Sequence, residues 1–370
     1  MCKPAGRQGC RSPHEVKNFR KGEVYMKKVL SVILALMLVL TLCSCGGSGD
    51  EVVTDAQGEE ITTNAQGTYY VNPLNGQRMN EEYKGRVFAV TMNNVSPALP
   101  HKGLASADLY FELFINDYCT RGLALYSDVR SVSDIGSIRS CRINFTDISQ
   151  AFNAVLCHTN GSDLVMNDLY AAGIDQMGID VPVGYRDSDR SAQGYAWEHT
   201  LFAKGESLYN AAATKGFNLE ETGRDFGLEF TDNGTPDGEA VNEIEIIFTL
   251  KGITKTSTMA YDKDNDGYTY NQYGKTMTDG DATVYFKNVL VLLAPTENVL
   301  HGSDTYHVAE LVGTGDGYFS CGGKYVAIKW TRETETSPFT FTLADGSEVA
   351  LGTGNSYIAI APTESTINMH

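Results

Sequence analysis

Thr231–Ala240, TDNGTPDGEA, is the stretch that divides this chain. It is short and polar, and it carries Pro and three kinds of turn former, the composition of a linker that few contacts cross. Before it, apolar strand patterns alternate with helical ones. Arg86–Met92, Leu109–Asn116, Gly122–Ser127 and Ala154–His158 read as strands. Phe145–Phe152 and Lys204–Lys215 read as helices, and a third runs from a Ser162 cap to Ala172, with Gly173 as its stop. After it, short alternating strands follow one another between Gly and Asp turns, from Val241–Leu250 to Tyr357–Ile360. The expected fold is α+β (mixed). An N-terminal mixed α/β domain occupies 68–232, and a β-rich C-terminal domain occupies 241–366. Two Gly-containing segments read as turns. Asp262–Gly267 (DKDNDG) matches half of a calcium loop, but the twelfth position is Tyr273 rather than Glu, so a plain hairpin is expected there. Leu311–Gly317 has no following helix and reads as a turn rather than a phosphate loop.

Upstream, Met26–Cys45 (MKKVLSVILALMLVLTLCSC) has two lysines, an apolar run and a small residue before a cysteine. This is the pattern of a lipoprotein signal over 26–44, with lipid on Cys45. The apolar run is too short to span a bilayer, which takes about 20 residues. Residues 1–25 do not fit a signal n-region. They are read as the product of a start codon assigned too early. The polar segment 45–67 reads as a flexible tether. The expected location is the extracytoplasmic face of the cell membrane, with the bilayer reached through acylated Cys45.

Charge narrows the partners. The chain has 29 Lys and Arg against 46 Asp and Glu, a net of −17. Residues 1–44 hold eight of those cations and two Glu, so the remainder carries 21 against 44, a net of −23. Nucleic acid is excluded as a partner, because phosphate binding runs on Lys and Arg. Of the eight cysteines, Cys119, Cys141, Cys157 and Cys321 lie in the body, none in CxxC spacing. They carry no zinc or redox signature and are read as mostly unpaired thiols. No cofactor and no metal is implied, and no GxSxG elbow occurs.

Against this acidic background, Arg121, Arg130, Arg139, Arg142, Arg186 and Arg190 cluster in sequence at strand ends and loops. His158 closes an apolar strand just before a helix start at Ser162. Arg121, Arg139, Arg142, His158 and Ser162 therefore form a candidate anion pocket, with Glu112 placed to orient His158. The bland alternative pairs the arginines with Asp108, Glu112, Asp128 and Asp134. In the second half, Tyr306, Tyr318, Tyr325, Trp330 and Tyr357 are candidate sugar or protein contacts.

Several phrases in order, among them Asn72–Gly76 (NPLNG), Ala107–Glu112 (ADLYFE), Ile135–Arg142 (IGSIRSCR), Asn288–Val291 and Gly354–Ile358, resemble the YerB-like lipoproteins of Gram-positive bacteria. The resemblance covers most of Thr68–Pro362. It implies a two-part architecture and, the family being one of unknown function, no reaction. Cys141 stands where that motif has Ala, and Trp197–Thr200 only loosely matches a Pro-His-Asn segment. The expected function is a membrane-anchored lipoprotein binding an anionic or polyhydroxyl ligand, such as a cell-wall polymer, or an envelope protein. The alternative is a hydrolase or transferase acting on a phosphodiester or glycan of the envelope.

Replacing Cys45 with Ala is expected to move the protein out of the detergent phase and the membrane fraction. Unchanged partitioning of Cys45→Ala defeats the lipid assignment.

Overall fold

The computed structural model describes Ile61 and residues 68–370, apart from 117, 118 and 222. Segment 1–25, the signal over 26–44, Cys45 and most of the tether lie outside the described residues. Among the described residues no helix is long and apolar enough to cross a membrane.

The principal elements of the first half are Phe88–Asn93 (β1), Leu109–Asn116 (β2), Cys119–Tyr126 (β3), Ile143–Ala151 (α1), Val155–His158 (β4), Asp163–Ala172 (α2), Gln176–Gly178 (β5), Ser188–Ala192 (α3) and Gly205–Thr214 (α4). Those of the second are Glu239–Ala240 (β6), Glu243–Leu250 (β7), Ile253–Asp262 (β8), Gly267–Gln272 (β9), Asn288–Ala294 (β10), Gly313–Cys321 (β11), Lys324–Arg332 (β12), Thr340–Thr342 (β13), Ser356–Pro362 (β14) and Thr366–Met369 (β15). The chain is mostly β with few helices, and every α-helix among the described residues lies before residue 215.

The two halves share one sheet. Its eleven strands run β6-β12-β11-β10-β14-β2-β3-β1-β4-β5, with β13 also paired to β12. β14 lies between β10 and β2 and is parallel to both, with Ile358 opposite Leu290 on one side and Phe111 on the other. Residues 54–370 accordingly form one compact unit. Six strands make a second, antiparallel sheet. In it Lys275–Thr276, β9, β8, β7 and β15 lie in that order, and Tyr285–Phe286 pairs with β9.

Alternation along β2 explains the layers. Phe111 and Leu113 face one way, onto Phe145, Ile148 and Leu169 of α1 and α2. Tyr110 and Phe114 face the other way, onto Phe248, Met259 and Tyr270 of the second sheet. A strand apolar on both faces belongs in the middle of a layered fold, and each large side chain so buried contributes about 1.5–3 kcal/mol. The DKDNDG segment is the turn of the β8–β9 hairpin, with Tyr261 opposite Tyr268. The expectation for Leu311–Gly317 is corrected: from Gly313 onward it is strand β11. Its later glycines, Gly315 and Gly317, answer to packing. A Cβ on Gly315 would lie 2.4 Å from Trp330 Nε1, which donates to the Leu293 carbonyl at 3.0 Å. The four body cysteines are free thiols. Burial pushes Cys141 up to about 12 and Cys157 higher still, so both stay protonated at neutral pH.

One polar group interrupts the apolar β2. Glu112 is fully buried on the face turned to the second sheet. Its carboxylate accepts from Lys255 Nζ, from Ser257 Oγ at 3.0 and 3.1 Å, and from Thr120 Oγ1 at 2.5 Å. Asn94 Nδ2 at 3.1 Å, Tyr270 Oη at 2.8 Å and Tyr357 Oη at 2.5 Å complete the shell. The donors come from β3, β8, β9, β14 and the residue after β1, so one carboxylate joins both sheets. Burial by itself would raise the Glu112 pKa; Lys255 and the hydroxyl donors outweigh it, and the net direction is down. Burial, with Glu112 next, keeps the Tyr270 and Tyr357 hydroxyls protonated and therefore donating.

Two predictions follow from these buried groups. Glu112→Ala leaves Lys255 buried and unpaired, and is expected to cost about 3–5 kcal/mol of unfolding free energy in urea titrations. A Glu112→Leu, Lys255→Met double variant should recover only part of it, because Thr120, Asn94, Ser257, Tyr270 and Tyr357 still lose their acceptor, and a single-variant loss below about 1 kcal/mol contradicts the assignment. His101 is the second. It is fully buried and its Nε2 donates to the Asn93 carbonyl at 2.9 Å. Burial pulls its pKa from 6.5 to about 4, the bond to Asn93 offsetting only part. Between those values the unfolded chain binds a proton that the folded chain does not. The stability from neutral His101 is thus full above pH 6.5 and lost as pH falls toward 4, by about 3 kcal/mol in all. His101→Gln should flatten this part of the pH profile. An unaltered slope would count against it.

Candidate functional site

The first half brings several strand ends to one edge of the main sheet. β1, β4 and β5 are mutually parallel, so Asn93, His158 and Gly178 end at the same side. β3 runs antiparallel to β1, and its early residue Arg121 lies opposite Asn93. Crevices beyond the carboxyl ends of parallel strands are the usual ligand positions of such sheets. Across this edge runs the segment 138–142, held by Arg139 N donating to the Thr91 carbonyl at 3.1 Å and Thr159 N donating to the Arg139 carbonyl at 3.0 Å.

Three arginines meet there. Arg121 shares the sheet face of Leu123 and points toward the 138–142 segment, where its Nη1 donates to the Ser140 carbonyl at 3.1 Å. It is 5% exposed, and its Nε finds no partner. Burial first, then the like charges of Arg142 and Arg139, act against its cation. No carboxylate among the described residues is ion-paired with it. Arg142 Nη1 donates to the Cys141 carbonyl at 2.8 Å, and its guanidinium lies 5.4 Å from the centre of the Tyr306 ring. A cavity of about 320 Å³ opens beside it, lined by Asn116, Arg142, Ser303, Asp304, Thr305 and Tyr306. Arg139 is part-exposed and has only a long pair with Glu198, 3.9 Å from Nη2 to Oε1. The Nε atoms of Arg139 and Arg142 also lack partners.

The remaining sequence candidates divide. His158 ends β4 at the same edge, but its Nε2 is engaged by Gln176 Oε1 at 2.9 Å. Burial lowers its pKa, and no arginine is among the groups acting on it. Its ring is thus a neighbour of the arginine cluster without a recorded contact to it. Ser162 holds the N-cap position of α2, yet its hydroxyl makes no capping bond and has no partner. Glu112 is a correction. It pairs with Gly122 across the β2–β3 hairpin, one position from the Leu113–Arg121 pair, and alternation therefore sends it to the opposite face. It cannot orient His158, and the acid–base constellation of the hydrolase or transferase reading is not assembled.

The other arginines and aromatics sort as plainly. Arg130 pairs with Asp128 at 3.3 Å, as the bland alternative had it. Arg190 is buried and ties loops, with Nη1 on the carbonyls of Ala98 and His199. Trp330 and Tyr357 are buried and cannot serve as open ligand platforms, a second correction, and the largely buried Tyr306 shows only what lines the cavity beside Arg142. The alternating pattern that makes them strand residues also turns them inward. One exposed aromatic that sequence reasoning passed over is Trp197, 68% exposed, with the Arg186 guanidinium 4.0 Å from its ring centre. Its signal was a Trp standing between Ala196 and Glu198 in a polar loop. A further cleft of about 520 Å³ lies along β8 and β9, but its Lys255 is already paired with Glu112.

The relatives are now informative. A family model described as "Protein of unknown function (DUF3048) N-terminal domain" matches residues 74–218, and the corresponding C-terminal domain model matches 248–358. A protein of Bacillus subtilis (strain 168) named "Putative lipoprotein YerB" is 24% identical over 300 residues, covering 78% of this chain and 86% of its own. The crystal structure of the YerB protein from Bacillus subtilis has the same fold, with a TM-score of 0.69 at 23% identity over 80% of this chain and 99% of that one. The resemblance read from the sequence phrases is therefore real homology, and the chain belongs to the DUF3048 family, whose function is unknown.

Proposed function

We propose that the protein is a lipid-anchored, extracytoplasmic binding protein that grips a compact anionic group at Arg121, Arg139 and Arg142. The observation that carries this reading is Arg121: a buried guanidinium with a free Nε, set among like charges and ion-paired with no described carboxylate. A buried cation is costly unless compensated, and a bound oxyanion supplies the compensation through charge-assisted bonds. Arginine suits the task because its planar fork matches phosphate and carboxylate.

The charge of the whole body argues for a small group rather than a long polymer. A polyanionic chain would run off the arginines onto a surface that is strongly acidic. A single phosphate or carboxylate, free or at the end of an envelope molecule, meets only the local field. The anchor rests on the lipobox at Cys45 and on the lipoprotein name of the Bacillus subtilis relative. Stable attachment takes more than one acyl chain.

Inorganic phosphate is the first probe. It should raise the melting temperature of the wild type by mass action. Arg142→Ala is expected to weaken phosphate binding by about 1.5–3 kcal/mol, with little change in stability of the free protein. Absence of any shift with phosphate, sulfate and acetate at tens of millimolar would overturn the reading.

A further inference from the structure

We propose that the group held at the arginines is borne by a sugar ring, and that this ring stacks on Trp197. The inference rests on the anion-site reading above and extends it to the class of ligand.

Trp197 is the observation that asks for an explanation. It is 68% exposed, in a protein whose other tryptophan, Trp330, is 1% exposed. Exposure of a single ring is ordinary in itself, and Tyr170 is 64% exposed as well; what distinguishes Trp197 is what holds it and where it lies. Trp197 is also held in place. Arg186 stacks on it at 4.0 Å and donates from Nη1 to the Trp197 carbonyl at 2.8 Å. A ring fixed in this way loses little entropy when a second flat face meets it.

Its position ties it to the anion site. The next residue, Glu198, reaches Arg139, and Arg139 is one of the three clustered arginines. Consecutive residues are about 3.8 Å apart along the backbone, so the platform and the cationic cluster adjoin through Arg139. A ligand with its anion on Arg139 can therefore bring a ring within reach of Trp197.

The rim decides what that ring is. Glu198 and Asp180, which lies 3.9 Å from Arg186, are both exposed carboxylates. They repel a second anionic group but accept hydrogen bonds from hydroxyls. A polyhydroxyl ring with an apolar face satisfies both the carboxylates and the indole, as sugars do. A nucleotide with a chain of phosphates does not, because its charge would spread onto that rim.

The test uses the intrinsic fluorescence of the full chain, since Trp330 is buried and its Nε1 is held by the Leu293 carbonyl. Titrations compare glucose 1-phosphate, N-acetylglucosamine 1-phosphate, inorganic phosphate and glucose. At least one sugar phosphate should change the Trp197 emission saturably and bind about tenfold more tightly than phosphate. Trp197→Ala should lower its affinity to that of phosphate while phosphate binding, followed by calorimetry, stays within about twofold. Trp197→Phe should keep part of the preference. Equal binding of sugar phosphates and phosphate, or saturation without any change in emission, overturns the sugar proposal and leaves the anion reading intact. If no oxyanion binds at all, both fall.

Discussion

The carboxylate of Glu112 is the interaction on which the rest of this molecule depends. It sits in the middle of a strand that is apolar on both sides, and it collects donors from both sheets and from both halves of the chain. Apolar contacts between two sheets specify that they pack but only loosely how. A buried ion with six partner side chains admits one arrangement, because any slip leaves a charge unmet. We regard it as the device that sets the second sheet in register over β2, β3 and β14. The price is a site that tolerates no loss of a partner.

The opposite face of the same strands is organised differently. There the helices α1 and α2 cover apolar side chains, and the cations gather at the strand ends. The two faces of one sheet thus treat charge in opposite ways. One buries an ion pair among hydrogen-bond donors; the other leaves the Nε atoms of Arg121, Arg139 and Arg142 without partners, with a cavity beside Arg142. In a native structure most buried polar groups are satisfied, and the exceptions here fall on both faces, Tyr110 Oη and Gln272 Oε1 among them. The three guanidinium groups lie at the edge where β1, β4 and β5 end.

Much of this was legible in the sequence. Leu109–Asn116 was read to the residue, because alternation and high apolar content leave little choice. The early arginines stood out against an acidic background, and three of the six do gather. What could not be read was facing. Whether Glu112 and Arg121 share a side depends on how the hairpin between them is registered, and the pairing shifts between Phe114 and Asn116. A one-residue uncertainty there exchanges the faces. The insertion of β14 beside β2 was equally invisible, since parallel partners far apart in sequence leave no local mark. Gly313–Gly317 misled for a related reason: Gly315 and Gly317 serve close packing, against Trp330 and the Val291 carbonyl, rather than a bend.

The place of β14 has a consequence for how the molecule comes into being. Tyr357 bonds to a carboxylate 245 residues earlier. Synthesis at about 5–20 residues per second puts roughly 10–50 s between the two. Until β14 arrives, β2 has one side unpaired, the form of edge that invites other chains. Fragments that stop short of residue 356 retain Arg121, Arg139 and Arg142 but never close the sheet. An incomplete chain thus differs from the finished fold by one open edge at β2.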